Sequence, residues 1–146
     1  MSRSTVLSVD VAADPARVFE ILSTTEGQRA FWTDDCEVSG DRGRFSFAAS
    51  PVDLEVDVTT EPAKLVRMQV TSGFPFWEGS TWEWELGLAT RAESGTNVLF
   101  RHYGFAEGYS EADHGHTAQT WALVLDRLAR YVETGTPQPL FRAAGG

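Results

Sequence analysis

Trp82-Glu83-Trp84-Glu85-Leu86 alternates bulky apolar and acidic residues, and Thr96-Asn97-Val98-Leu99-Phe100-Arg101-His102 follows it after Gly95. A period of two puts Trp82, Trp84 and Leu86 on one strand face, and Val98, Phe100 and His102 on one face of the next strand. Ser110 then opens a helical pattern that runs to Gly135. Aromatic-faced strands leading into one long apolar-striped helix predict a helix laid across a curved sheet. That arrangement can enclose a cavity.

In this last helix Trp121, Leu125, Leu128 and Val132 make a single stripe. His114 projects onto the stripe and His116 onto the opposite side. Asp126 and Arg130 are spaced to pair across one turn. Gly135 and Pro137 end the helix, and the segment 136–146 reads as a loosely ordered tail.

Working outward from there, Thr5 to Val11 alternates as a strand with Leu7, Val9 and Val11 on one side. Asp14-Pro15 is a helix start, because Asp caps free amides and Pro suits the first helical position. Thr25 to Gln28 matches a capping box for a second short helix ending near Phe31-Trp32. From Asp35 the chain reads as six strands with short connections, which favours antiparallel pairing. Val52, Leu54, Val56 and Val58 alternate with Asp53, Glu55 and Asp57, the cleanest half-buried pattern present. These acidic residues, with Glu83 and Glu85, should point outward. The expected fold is α+β: a curved seven-stranded antiparallel sheet gripping a long C-terminal helix, with two short helices after strand 1. It forms one domain over 1–146, with an ordered core of about 4–135.

Composition narrows the function classes. A chain of 146 residues with 42% hydrophobic content supports a real core, burying roughly 70% of its unfolded surface. The net charge of −9 without a Lys/Arg-rich run disfavours nucleic acid and anionic membranes. No run approaches the ~18 apolar residues of a membrane span, and Met1 to Thr5 lacks an apolar signal core. Cys36 is the only cysteine, so a reducing cytoplasm is the expected home and a buried apolar role is expected for that thiol.

Val9 to Phe19 (VDVAADPARVF), Phe31-Trp32, Trp77-Glu78-Gly79, Phe100-Arg101-His102 with Gly104-Phe105, and Trp121 to Gly135 (WALVLDRLARYVETG) together resemble the START-like (SRPBCC) superfamily. In detail they resemble its bacterial branch related to the heat-shock-protein-90 ATPase activator C-terminal domain. The resemblance implies the helix-grip fold. It also implies a range of roles: ligand carriers, aromatase/cyclases, hormone receptors and chaperone regulators.

The residues themselves point to binding of a small hydrophobic or aromatic molecule between sheet and helix. Trp32, Phe45, Phe47, Trp82, Trp84, Phe100, Trp121 and Leu125 are the candidate apolar walls, and His102 and His114 the candidate polar selectors. The same rings could instead simply fill the core. An aromatase/cyclase-like enzyme with His102 as acid/base is the alternative. A protein-interaction or chaperone-regulator module is another. Phe74-Pro75-Phe76-Trp77 reads as the mouth of the cavity or a contact surface for a homodimer. No cofactor is expected. A metal site would need more ligands than Asp113, His114 and His116 offer at their spacing. Asp34-Asp35 reads as a solvated turn. Gly40-Asp41-Arg42-Gly43 lacks the Lys and following helix of a phosphate loop.

Overall fold

The computed structural model describes residues 3–48 and 50–142. Strand β1 (Thr5–Val11) is followed by helices α1 (Pro15–Ser23) and α2 (Thr25–Phe31). Strands β2 (Asp35–Ser39), β3 (Arg42–Ser46), β4 (Leu54–Glu61), β5 (Leu65–Ser72), β6 (Thr81–Leu88) and β7 (Thr96–Tyr103) come next, then α3 (Glu111–Thr134). All seven strands form one antiparallel sheet in the order β1-β7-β6-β5-β4-β3-β2. Consecutive strands therefore pair, except that β1 closes against β7.

Register stacks the expected apolar face into a continuous wall. Trp82 pairs with His102, Trp84 with Phe100 and Leu86 with Val98 across β6 and β7. Met68 and Val66 of β5 oppose the same two tryptophans from the other side. Helix α3 covers this wall with Thr117, Trp121, Val124, Leu125, Leu128 and Tyr131, all buried. The inward residues of α1, Val18, Ile21 and Leu22, join the same core with Ala30 and Phe31 of α2.

Local chemistry sets the helix ends. Asp14 accepts from the Arg17 amide and Pro15 occupies the first turn of α1. Ser110 and Asp113 form a capping box on α3, and Gly135 ends it at φ 73°. The cap of α2 is Thr24 rather than the expected Thr25. The Thr24 hydroxyl accepts from the Gly27 amide at 3.1 Å. The Thr25 hydroxyl instead bonds both the amide and the carbonyl of Val38, tying α2 to β2.

Two further expectations change. Glu83 is 6% exposed rather than solvated. Its carboxylate accepts from Arg67 at 3.1 Å, Arg101 at 3.0 Å and the Tyr103 hydroxyl at 2.8 Å, from strands on both sides. Burial alone would raise the Glu83 carboxyl. The Tyr103 and Arg67 hydrogen bonds and the nearby charge of Arg67 outweigh it and hold the pKa below the usual range. The described part of the tail is also not loose. The amides of Gln138, Leu140 and Phe141 donate to Ala30, Phe31 and Trp32 carbonyls at 3.0, 3.2 and 2.8 Å. These carbonyls at the C-terminal end of α2 would otherwise lack partners. Phe141 in turn accepts from the Asp34 amide at 3.1 Å. Residues 143–146 lie outside the described residues.

Candidate ligand cleft

Trp121 organises the space between sheet and helix. Its ring centroid lies 4.5 Å from Phe100, 4.9 Å from Trp32, 5.5 Å from Trp82 and 6.4 Å from Trp84. Phe45 packs on Trp32 and Trp82, at 4.6 and 6.0 Å. The interior is thus filled with rings, and Phe45, Trp82, Trp84, Phe100 and Leu125 serve as core. Among the described residues the indole N–H groups of Trp82 and Trp84 meet no hydrogen-bond acceptor. Both rings stand nearly perpendicular to aromatic neighbours, Trp82 to Trp32 and Trp84 to Trp121.

His102 belongs to that packed interior. It is fully buried. The Trp121 indole N–H donates to its Nδ1 at 3.1 Å, and its Nε2 lies 3.0 Å from the Ser80 hydroxyl. An Nδ1 that accepts cannot carry the proton of a neutral imidazole, so the proton sits on Nε2 and is donated to Ser80. Burial lowers its pKa to about 3, helped by the nearby charge of His114. The Ser80 hydroxyl is therefore in reach of His102, and the ring is not among the residues that line the neighbouring cleft.

The open space lies beside this core. A cleft of about 700 Å³ is bounded by the Phe74–Trp77 loop, one side of α3, the segment after β3 and the C-terminal tail. Its apolar walls are Trp32, Phe47, Phe74, Trp77, Trp121 and Phe141. Three residues of the sequence-derived set therefore meet here: Trp32, Phe47 and Trp121. The 74–77 loop forms the mouth. Phe76 sits at its tip, 40% exposed and at φ 72°, a backbone state that costs a non-glycine residue of order 1–3 kcal/mol. A Cβ on Gly108 would stand 3.2 Å from the Phe76 ring, so a bare backbone passes beneath it.

Of the two histidines on α3, His116 borders the cleft and His114 does not. His116 lines the cleft with Asp113, Thr117 and Thr120. His114 instead packs against the rings of Phe105 and Tyr109, at 5.1 and 4.7 Å, and borders a separate depression near β1. The stripe arithmetic for His114 holds, but the cleft opens off the side of α3 and not beneath the stripe. Tyr109, Leu140, Phe141 and Arg142 also line the cleft and were not picked out. The available signal is Leu140-Phe141, an apolar pair between Thr136-Pro137-Gln138-Pro139 and Gly145-Gly146.

Other chemistry is sparse. Among the described residues no group of three or more His, Cys, Asp or Glu could hold a metal ion. Cys36 is buried, and burial pushes its thiol up to about 11 against the opposing charges of Arg29 and Arg44. Among these residues no helix is long and apolar enough to cross a membrane.

A seven-stranded antiparallel sheet, two short helices after its first strand and a long C-terminal helix across one face define a helix-grip domain of the START-like class. Residues 12–133 match the model of the AHSA1 family, described as Activator of Hsp90 ATPase homolog 1-like protein, and the chain belongs to that family. No curated protein matches it. Its fold is similar to that of the Aha1 dimer from Colwellia psychrerythraea, at TM-score 0.75 and 24% identity, over 91% of this chain and 98% of that one. It is also similar to protein SSP2350 from Staphylococcus saprophyticus, at TM-score 0.73 and 17% identity, over 96% and 98% of the two chains. DynU16, from the dynemicin biosynthetic locus, matches at TM-score 0.72 and 20% identity. That match covers 95% of this chain and 50% of DynU16, so this chain spans half of its length.

Proposed function

We propose that the cleft binds one small hydrophobic or aromatic molecule without covalent chemistry. The observation that carries this reading is the open space of about 700 Å³ lined by eight aromatic rings. A volume of that size falls within the range of small-molecule sites, and rings with a few polar groups are their usual lining. Burying a flat ring against such walls gains ~25 cal/mol per Å² of apolar area, before the cost of association is subtracted.

Anilinonaphthalene sulfonate supplies the test. The wild-type chain should bind it saturably at one site per chain, and indole should displace it. Thr120→Trp, which fills the cleft from the half-buried side of α3, should abolish the signal. Non-saturating binding, or binding unchanged in Thr120→Trp, would remove the cleft as the site.

The mouth also supports a second proposal, a homodimer through the Phe74–Trp77 loop. Phe76 is 40% exposed there, and the Colwellia relative was solved as a dimer. A buried reduced Cys36 suits the cytoplasm, which we propose as the compartment.

A further inference from the structure

Four hydroxyl groups line the cleft, on Ser50, Tyr109, Thr117 and Thr120. Counting their hydrogens decides what the site can recognise. Ser50 donates to the Val52 carbonyl at 3.2 Å and accepts the Val52 amide at 3.1 Å. Thr120 donates back to the His116 carbonyl in its own helix at 3.0 Å. Thr117, one turn earlier, does not bond back in this way. It shares a hydrogen bond with the Tyr109 hydroxyl, which also accepts from the Trp77 indole N–H at 3.0 Å.

The Tyr109–Thr117 pair therefore holds two hydroxyl hydrogens and uses one between them. If Tyr109 donates to Thr117, the Thr117 hydrogen is left over. If Thr117 donates to Tyr109, the Tyr109 hydrogen is left over. Among the described residues neither group has a further partner. Thr117 is 5% exposed, so a wasted donor there costs the desolvation of an unpaired polar group. The Trp77 N–H at the far end of the chain polarises both hydroxyls and strengthens the free donor. Of the other polar side chains at the cleft, Arg142 is a donor with no acceptor role, and one oxygen of the Asp113 carboxylate accepts the Ser110 amide in the helix cap.

We propose that the cleft takes an aryl carbonyl compound, an aromatic ring bearing a ketone or carboxylate oxygen, and that the Tyr109–Thr117 pair receives that oxygen. This rests on the cleft being a ligand site. The pair sets specificity, and the aromatic walls supply the affinity.

Acetophenone and ethylbenzene test it, because they match in size and differ by C=O against CH₂. Binding is read by NMR titration of the tryptophan indole resonances in the wild-type chain. Acetophenone should bind about three- to tenfold more tightly. At saturation it should also shift the Trp77 indole N–H signal further than ethylbenzene does, because only the carbonyl perturbs the Trp77–Tyr109–Thr117 hydrogen-bond chain. Tyr109→Phe and Thr117→Val each keep one hydroxyl hydrogen, so each alone should retain a preference for acetophenone. The double variant has none and should lose or invert it. Equal affinities in the wild type would overturn the proposal and leave the cleft standing as an apolar site. So would a preference that survives in the double variant. Failure of both compounds to bind would overturn the cleft reading as well.

Discussion

His102 is an imidazole that burial holds in its neutral form down to about pH 3. With its pKa lowered to about 3 in the folded state and near 6.5 when the chain unfolds, the unfolded state binds more protons throughout that window. Stability from this residue is fully present above pH 6.5 and is lost as pH falls toward 3, at up to ~1.4 kcal/mol per unit. We expect the free energy of unfolding in urea to drop by about 2 kcal/mol between pH 7 and pH 5. Depressed carboxylates such as Glu83 contribute only at lower pH, so they leave this interval clear. A flat profile over it would show that His102 is not held neutral. The parity of β7 made the inward direction of His102 legible in the sequence. Its bonds to Trp121 and Ser80 were not, because they join residues from three separate segments. Glu83 shows the converse. Alternation assigned it correctly to the outer face, but Arg67, Arg101 and Tyr103 from the two flanking strands bury it there.

Between α1 and α2 the chain turns so tightly that the two helices touch through backbone. A Cβ at Gly27 would lie 1.9 Å from the Ile21 carbonyl oxygen, which belongs to the backbone of α1 and cannot rotate away. Gly27→Ala should therefore cost at least ~3 kcal/mol in denaturant unfolding, although alanine is the better helix former. A neutral or stabilising result would show that the two helices can separate. Most elements were readable from period and caps: β1, α1 and α3 fall where alternation, Asp14-Pro15 and Ser110 put them. The cap of α2 was ambiguous because Thr24 and Thr25 are adjacent and both can accept from a helix amide. Only the position of β2 gives Thr25 other work. The tail was misread for a related reason. Its order comes from carbonyls at the end of α2, more than a hundred residues away in sequence.

For the molecule as a whole, the candidate site moved from beneath the helix to its flank. The sequence reading set out a cavity between sheet and helix, but Trp82, Trp84, Phe100 and Trp121 occupy that volume. Residue pattern shows which way a side chain points, whereas free volume depends on how all the rings interlock. The mouth loop was legible because four consecutive large apolar residues have no strand or helix pattern to absorb them. Its exposed tip also carries the assembly proposal. The wild-type chain should sediment as a dimer at tens of micromolar, and Phe76→Ser should sediment as a monomer. A wild-type monomer, or a dimer indifferent to Phe76→Ser, would rule out that loop as the interface.

The pairing of β1 with β7 has a consequence for how the protein is made. Thr5 faces His102 and Val11 faces Thr96 in this register, and among the described residues β1 at the sheet edge has no other strand beside it. At a synthesis rate of ~5–20 residues per second, β1 leaves the ribosome about 5–20 s before its partner exists. Until then β2 to β6 can zip up strand by strand through short hairpins, while β1 waits with α1 and α2 behind it. Closing that loop is the long-range step, and loops of such length make folding slow relative to the local hairpins. The first strand to be synthesised is thus among the last to be placed.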